Sequence, residues 1–392
     1  MFYPRAILAQ LESELETEQI IVITGMRQVG KTTLLKHLFA QLKTDNKVFL
    51  DFENPLHRKL FEEENYDNIW NNLAEFGINK RERAFVFIDE IQNLPSASRA
   101  IKYLYDHNSV KFFLTGSSSF YLKNLFSESL AGRKLIYELY PLTFAEFLVF
   151  KGVKREEILG FGQKAAQKNK IRYERLIKYF LEYCRYGGFP RVVLEKNNLR
   201  KKRLLEEIFK SYFEHDVKTL ADFRNLAQLR DLILLLVARI GSKLDVSKLA
   251  SELKVSRETV YSYLSFLEKT YFIQLLARFS QSRDRRLAGG KKVYFCDTGL
   301  ANILGQISQG QQLENAVFQS LRPHYQLSYF QRNSQEIDFI VEGKVGLEVK
   351  QSASARDIYH LQQRSQSLGL EEAYLISQSW SDRPEVILAL DL

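Results

Sequence analysis

The apolar positions of this chain change rhythm along its length, and each rhythm predicts a different kind of element. Between residues 20 and 145, short and largely apolar runs (Ile20–Ile23, Phe85–Ile88, Val110–Leu114) alternate with longer stretches such as Leu34–Leu42. Runs of this length fit strands buried on both faces, and the segments between them fit helices. The alternation predicts a parallel α/β sheet in three layers. Residues 171–186 read as a further helical stretch. From 245 the pattern shortens: Asp245 caps a helix carrying Leu249 and Leu253, Lys254-Val255 turn, and Ser256 caps a second helix. In that second helix Val260, Leu264 and Leu267 fall at i, i+4 and i+7 and face the core. Two strand-like runs follow, Phe272–Phe279 and Lys292–Phe295, and the order predicts a winged helix-turn-helix.

Toward the C-terminus the period becomes two. A hairpin symmetric about Gly343 would pair Val341 with Val345, Phe339 with Leu347 and Ile337 with Val349, all on one face. The other face would set Asp338 opposite Glu348 and Glu336 opposite Lys350. The predicted divisions are a core over 1–150, a helical lid over 151–215, a winged helix over 216–305 and a last α/β domain over 306–392.

Composition narrows the class. At 392 residues, 45% apolar and 26% charged, the chain has the make-up of an ordinary globular protein with several cores. Cys184 and Cys296 stand far apart, which excludes a disulfide framework or zinc module and fits a reducing cytoplasm. No apolar run approaches membrane-spanning length. The opening segment, with Pro4 and Arg5 and then Leu8, Leu11 and Leu15 at helical spacing, has no secretory core. A cytoplasmic protein with no membrane partner is expected. Residues 191–292 hold 22 Lys and Arg against 12 Asp and Glu, a net of +10, whereas the whole chain is +9. Such a basic middle between neutral ends fits a polyanion, most simply nucleic acid, or else a solvated basic surface.

The chemistry begins at Gly25-Met26-Arg27-Gln28-Val29-Gly30-Lys31-Thr32, a complete G-x-x-x-x-G-K-[ST] phosphate loop between a strand and a helix. Gly25 and Gly30 let the backbone curl so that its amides face phosphates, and the helix adds roughly half a positive charge. Lys31 adds a full charge, and the Thr32 hydroxyl is placed for Mg²⁺. With Gln28, Val29 and Thr33, these residues are the predicted nucleotide contacts. Asp89, ending a second strand, would hold Mg²⁺ beside Thr32, and Glu90 would polarise the attacking water. The hydroxyls of Thr115-Gly116-Ser117-Ser118-Ser119 suit a γ-phosphate sensor, with Ser117 the candidate contact. All three motifs fall at carboxyl ends of strands, where ligands bind on such sheets. Arg133 reads either as an arginine finger acting on a neighbouring subunit or as a surface ion pair. Arg191, in Gly187-Gly188-Phe189-Pro190-Arg191, reads as a second phosphate sensor.

Gly25–Leu35, Asp89-Glu90-Ile91-Gln92, Thr115-Gly116-Ser117-Ser118, Leu130–Arg133, Pro141–Phe147 and Gly187–Arg191 together resemble a family of archaeal and bacterial AAA+-type ATPases whose C-terminal part has no assigned function. The resemblance implies a P-loop AAA+ fold, hydrolysis of ATP with Mg²⁺, and a homo-oligomer.

In the basic middle, Arg257, Tyr261, Ser262, Ser265 and Lys269 lie opposite the apolar face of the second helix, where they can reach phosphates or base edges. Arg283, Arg285, Arg286, Lys291 and Lys292 lie around the predicted wing. If about five of these neutralise phosphates, log K should fall with log salt at a slope near −4 to −5. Winged helices also serve as rigid connectors, and that reading stands beside DNA contact.

Two carboxylates facing across a ladder repel unless a cation lies between them, and Mg²⁺ prefers hard oxygen ligands. Glu314 shares a helical face with Val317, Phe318 and Leu321, so its carboxylate points inward and needs a partner. The order Glu314, Asp338, Glu348-x-Lys350, helix, strand resembles the PD-(D/E)XK nuclease fold. That resemblance implies Asp338 and Glu348 as Mg²⁺ ligands, Lys350 as catalytic lysine and Glu314 as an accessory acid. An active nuclease, an inactive fold kept for DNA binding and a structural surface remain open. The expected function is an Mg²⁺-dependent ATPase that binds and processes DNA by shape, branched junctions included. The alternatives are a non-cleaving DNA switch and a signalling ATPase acting on proteins.

Overall fold

The structure, a computed structural model, describes residues 2–116, 132–154, 160–217, 226–280, 289–333 and 335–392. The chain divides into two compact units. One is Met1–Tyr140 with Lys269–Tyr271, and the other is Pro141–Glu268 with Phe272–Leu392.

The first unit is built on a five-stranded sheet. Its strands are β1 (Ile20–Thr24), β2 (Lys47–Asp51), β3 (Ala84–Asp89), β4 (Val110–Gly116) and β5 (Lys134–Glu138), in the order β2-β3-β4-β1-β5. Every pairing is parallel. β1, β3 and β4 are buried at each position, as strands covered on both faces require. Alternate residues serve opposite faces. Val22, Val86, Ile88 and Phe112 pack with Ile69, Ile101 and Leu104 from helices Tyr66–Glu75 and Ala97–His107. On the other face Phe87 stacks on Phe113 at 4.5 Å and meets Phe39 of helix Lys31–Gln41 edge-on at 5.3 Å. Helices on both faces complete three layers, the α/β class expected.

The second unit opens with helices, among them Phe144–Phe150, Lys170–Tyr186 and Asn198–Tyr212. The described residues of 151–215, expected as a lid, belong to this unit. Helices Leu226–Val237, Val246–Leu253 and Arg257–Lys269 follow, the last two started by Asp245, which accepts from the Lys248 amide, and Ser256, which accepts from that of Thr259. An antiparallel pair, β6 (Ile273–Leu276) and β7 (Lys292–Phe295), comes next.

A second sheet closes the chain: β8 (Leu327–Arg332), β9 (Gln335–Val341), β10 (Val345–Lys350), β11 (Glu372–Ser377) and β12 (Val386–Leu388), ordered β12-β11-β10-β9-β8. Val345 opposes Val341 and Leu347 opposes Phe339, the predicted register about Gly343. The rest of the hairpin departs from the expected alternation. Along the β8–β9 ladder Ser328 opposes Ile340 but Phe330 opposes Ile337, so β9 takes three steps where β8 takes two. One extra residue in β9 is a β-bulge, and it exchanges the faces on either side of it. Ile337 therefore shares a core with Ile340, Ile358 and Leu361, toward helix Ala355–Ser367. Phe339 instead packs against Tyr294 and Phe318, toward helix Gln309–Leu321.

Candidate nucleotide site and acid cluster

The phosphate loop joins β1 to helix Lys31–Gln41 at the carboxyl edge of the first sheet. Gly25 has φ 152°, and a Cβ there would lie 2.1 Å from the Leu139 carbonyl oxygen, so only glycine fits. Gly30 has φ 103°, and the place of its missing Cβ has no atom within 4 Å, so open space lies beside the loop there. Gln28 also takes a left-handed conformation, at φ 64°. Val29 is buried, and its carbonyl accepts from Arg5 Nη1 at 2.9 Å, while Arg5 Nη2 donates to the Tyr140 carbonyl at 2.7 Å. Lys31 is buried, and its ammonium donates to the carbonyls of Gly25 (3.1 Å) and Met26 (2.9 Å). Thr32 is half-buried and Thr33 exposed on the first turn.

Beside the loop, the hydroxyls of Thr32 and Thr115 both donate to the buried Asp89 carboxylate. The Thr115 oxygen accepts from the Glu90 amide at 3.2 Å. Burial raises the Asp89 pKa above the ordinary carboxylate value, the two hydroxyls oppose that, and the charges of Glu90 and Asp51 reinforce it. Buried acid, neighbouring carboxylates and hydroxyl oxygens form a hard, electron-rich set that suits Mg²⁺. The open space at Gly30 leaves room for phosphate oxygens. Glu90 sits in a left-handed conformation (φ 54°), with its carboxylate accepting from the Gln92 side chain. Ser117 lies outside the described residues. Arg133 pairs with Asp106 at 2.7 Å in the same unit. Arg191 is exposed on a short helix, Pro190–Leu194, of the second unit.

The glycines before Arg191 have a structural partner that pattern reading missed. Asp297, wholly buried, accepts from the Gly188 amide at 2.6 Å, the Leu300 amide at 2.9 Å and the Gln319 side chain at 3.3 Å. A Cβ on Gly187 would meet this carboxylate at 2.0 Å. Burial pushes Asp297 up to about 6.

Of the predicted DNA contacts, Arg257, Tyr261, Ser262 and Lys291 are exposed, and Ser265 is half-buried. Lys269 is exposed but belongs to the segment grouped with the first unit. Arg283, Arg285 and Arg286 lie outside the described residues. Lys292 is not on that surface. Its side chain is 1% exposed, and its ammonium lies 2.5 Å from Glu336, 3.4 Å from Glu314 and 3.4 Å from Asp338. An alternating strand puts Lys292 and Tyr294 on one face, and Tyr294 donates to Glu314 at 2.6 Å. That i, i+2 relation was the signal in the sequence.

The bulge redistributes the acids as well. Asp338 joins Glu314 and Lys292 and accepts the Val349 amide at 2.8 Å. Glu336 meets Lys292 rather than Lys350. Glu348 pairs with Arg364 at 2.6 Å and with Lys350 at 3.0 Å. Glu314 is pushed up to about 7 by burial, with Asp338 adding to the rise and Lys292 opposing it. Among the described residues no three carboxylates, thiols or imidazoles converge to hold an ion. The donor set expected for Mg²⁺ here is already spent on lysine and arginine, and it does not fit the metal.

A phosphate loop at the carboxyl edge of a parallel sheet, with an acid and a hydroxyl on the neighbouring strands, defines a P-loop ATPase of the AAA type. Residues 17–148 match the AAA domain family. Residues 177–311 match a domain of unknown function, DUF8612. An uncharacterized protein of Methanocaldococcus jannaschii is 28% identical over 396 residues, covering 96% of this chain and 86% of its own length. One of Haemophilus influenzae is 26% identical over 407 residues, covering 98% and 96%. The Walker-type ATPase of Pyrococcus abyssi is similar in structure with a TM-score of 0.48 and 18% identity, over 77% of this chain and 96% of that one. No described helix is long and apolar enough to cross a membrane.

Proposed function

We propose that this ATPase is an Mg²⁺-dependent, ATP-driven DNA-binding switch. The observation that supports the ATP half is the joint hold of Thr32 and Thr115 on Asp89, beside a phosphate loop whose Gly30 faces open space. Thr32 and Asp89 would hold Mg²⁺, and Lys31 with the loop amides would bind the phosphates. Bound Mg²⁺ supplies charge neutralisation on the terminal phosphates. Glu90, next to Asp89, orients the water, and Thr115 fixes the acid pair through one hydroxyl.

The DNA half is supported by an exposed basic and aromatic helix face, Arg257, Tyr261 and Ser262, in the second unit, within the stretch of net charge +10. Two short capped helices followed by an antiparallel strand pair fit a winged helix-turn-helix. Contacts of this kind read backbone charge and shape. Helix, three strands, helix, strand over Gln309–Ser377 fits a nuclease-like fold, and in this reading that domain holds DNA without cutting it.

The test is retention of linear, forked and four-way DNA by the full chain across a salt series, with and without ATP. Retention should fall with salt at a slope of about −4 to −5 and change with nucleotide. Paired Arg257→Ala and Tyr261→Ala substitutions should weaken it several-fold on every DNA shape. No retention at low salt would leave the alternative, an ATPase that signals to protein partners.

A further inference from the structure

The acid cluster of the last domain carries an inference that deepens the non-cleaving reading and depends on neither ATP turnover nor DNA retention. We infer that Lys292 is the resident cation of this cluster, a buried ammonium that replaces the divalent ion and keeps it out.

Three carboxylates from two elements converge on one nitrogen carried by β7: Glu314 from helix Gln309–Leu321, and Glu336 and Asp338 from β9. An ammonium is a compact point charge with three donors, and here each meets a carboxylate. The acids hold Lys292 protonated well above its ordinary range against the opposing effect of burial. Two of these acids take a second donor each. Tyr294 donates to Glu314, and the Val349 amide donates to Asp338. Across the bulge Glu348 is drawn to Arg364, which also donates to the Glu336 carbonyl. Lys350 completes that second pair.

Charge and geometry both oppose a metal. Four carboxylates (Glu314, Glu336, Asp338, Glu348) face three cations (Lys292, Lys350, Arg364), so little negative charge is left to offset the dehydration of Mg²⁺. Mg²⁺ demands six oxygens at about 2.0–2.1 Å in near-octahedral order. Asp338 and Glu348, the pair that would have to share it, are committed to different cations. An entering ion would have to expel the Lys292 ammonium, leaving a buried charge without partners.

The experiment measures Mn²⁺ binding by the full chain, followed by electron paramagnetic resonance. It is run in an Asp89→Asn background so that the phosphate-loop site contributes no ion. The background protein should bind no Mn²⁺ at the cluster. Adding Lys292→Met, which removes the charge and keeps the stem, should create one saturable site. That affinity should be roughly a hundredfold or more above background, as expected when a buried competing charge is removed. A further Asp338→Asn change should abolish the site. Two results overturn the inference: saturable Mn²⁺ binding by the background protein that Asp338→Asn abolishes, or a folded Lys292→Met protein that gains no site. The first needs no Lys292 variant, so a failure of Lys292→Met to fold leaves the test intact. Failure to bind DNA or to hydrolyse ATP would strike the proposed function and leave this result untouched.

Discussion

Arg5 Nη1 donates to the carbonyl of Val29 at 2.9 Å, tying the N-terminal segment to the middle of the phosphate loop. The guanidinium is buried, and its other arm holds the Tyr140 carbonyl, so one side chain sets the loop's position from behind. Arg5→Ala should weaken nucleotide binding by about tenfold, the scale of one charge-assisted hydrogen bond lost from a site that needs its amides aligned. Arg5→Lys, which cannot span both carbonyls with a planar fork, should recover only part of that loss. Titration of a fluorescent nucleotide measures both; unchanged affinity in Arg5→Ala would show that the loop keeps its shape alone.

Thr115 joins Asp89, the proposed metal acid, to Glu90, the proposed water-orienting acid, donating to the first and accepting from the amide of the second. It acts through those two residues, as a positioning residue. Thr115→Val keeps the shape and removes the hydroxyl, so kcat should fall about tenfold with nucleotide affinity little changed. The Mg²⁺ concentration for half-maximal turnover should rise, which a general loss of stability would not produce.

Lys31→Ala should lose nucleotide binding. Glu90→Gln should retain binding and lose about 10²- to 10⁴-fold in kcat, the usual contribution of a proton-handling side chain. Equilibrium binding and steady-state turnover on the same preparations separate the two. A Glu90→Gln protein with full turnover would remove Glu90 from the reaction.

Asp297 makes stability depend on pH. Its pKa is raised, to about 6, because burial outweighs the amides of Gly188 and Leu300 and the Gln319 side chain. The folded state therefore binds more protons than the unfolded state between the ordinary carboxylate value near 3.8 and about 6. By linkage this group makes stability fall as pH rises through that window, by up to roughly 3 kcal/mol. Asp297→Asn should flatten the slope in denaturant titrations of the second unit's transition. Asp297→Ala leaves the buried amides of Gly188 and Leu300 without an acceptor and should cost roughly 2–4 kcal/mol at neutral pH.

The nucleotide site is legible in the residues alone. A phosphate loop is a contiguous backbone device: the glycines, Lys31 and Thr32 meet their roles within eight residues, and strands of largely apolar character put Asp89 and Thr115 on the same edge. The register about Gly343 was legible for the same reason, since strand pairing across a tight turn is local. Only the tertiary structure decided the rest. A single extra residue in β9 inverts the faces of Ile337 and Phe339, and alternation along a strand says nothing about where it breaks. Lys292 reads as one of a basic run until β7 brings it against Glu314, and a lysine's role follows from the charges that surround it rather than from its neighbours in the chain. Arg5 and Asp297 act on backbone groups more than twenty residues away in sequence, where side-chain periodicity leaves no mark.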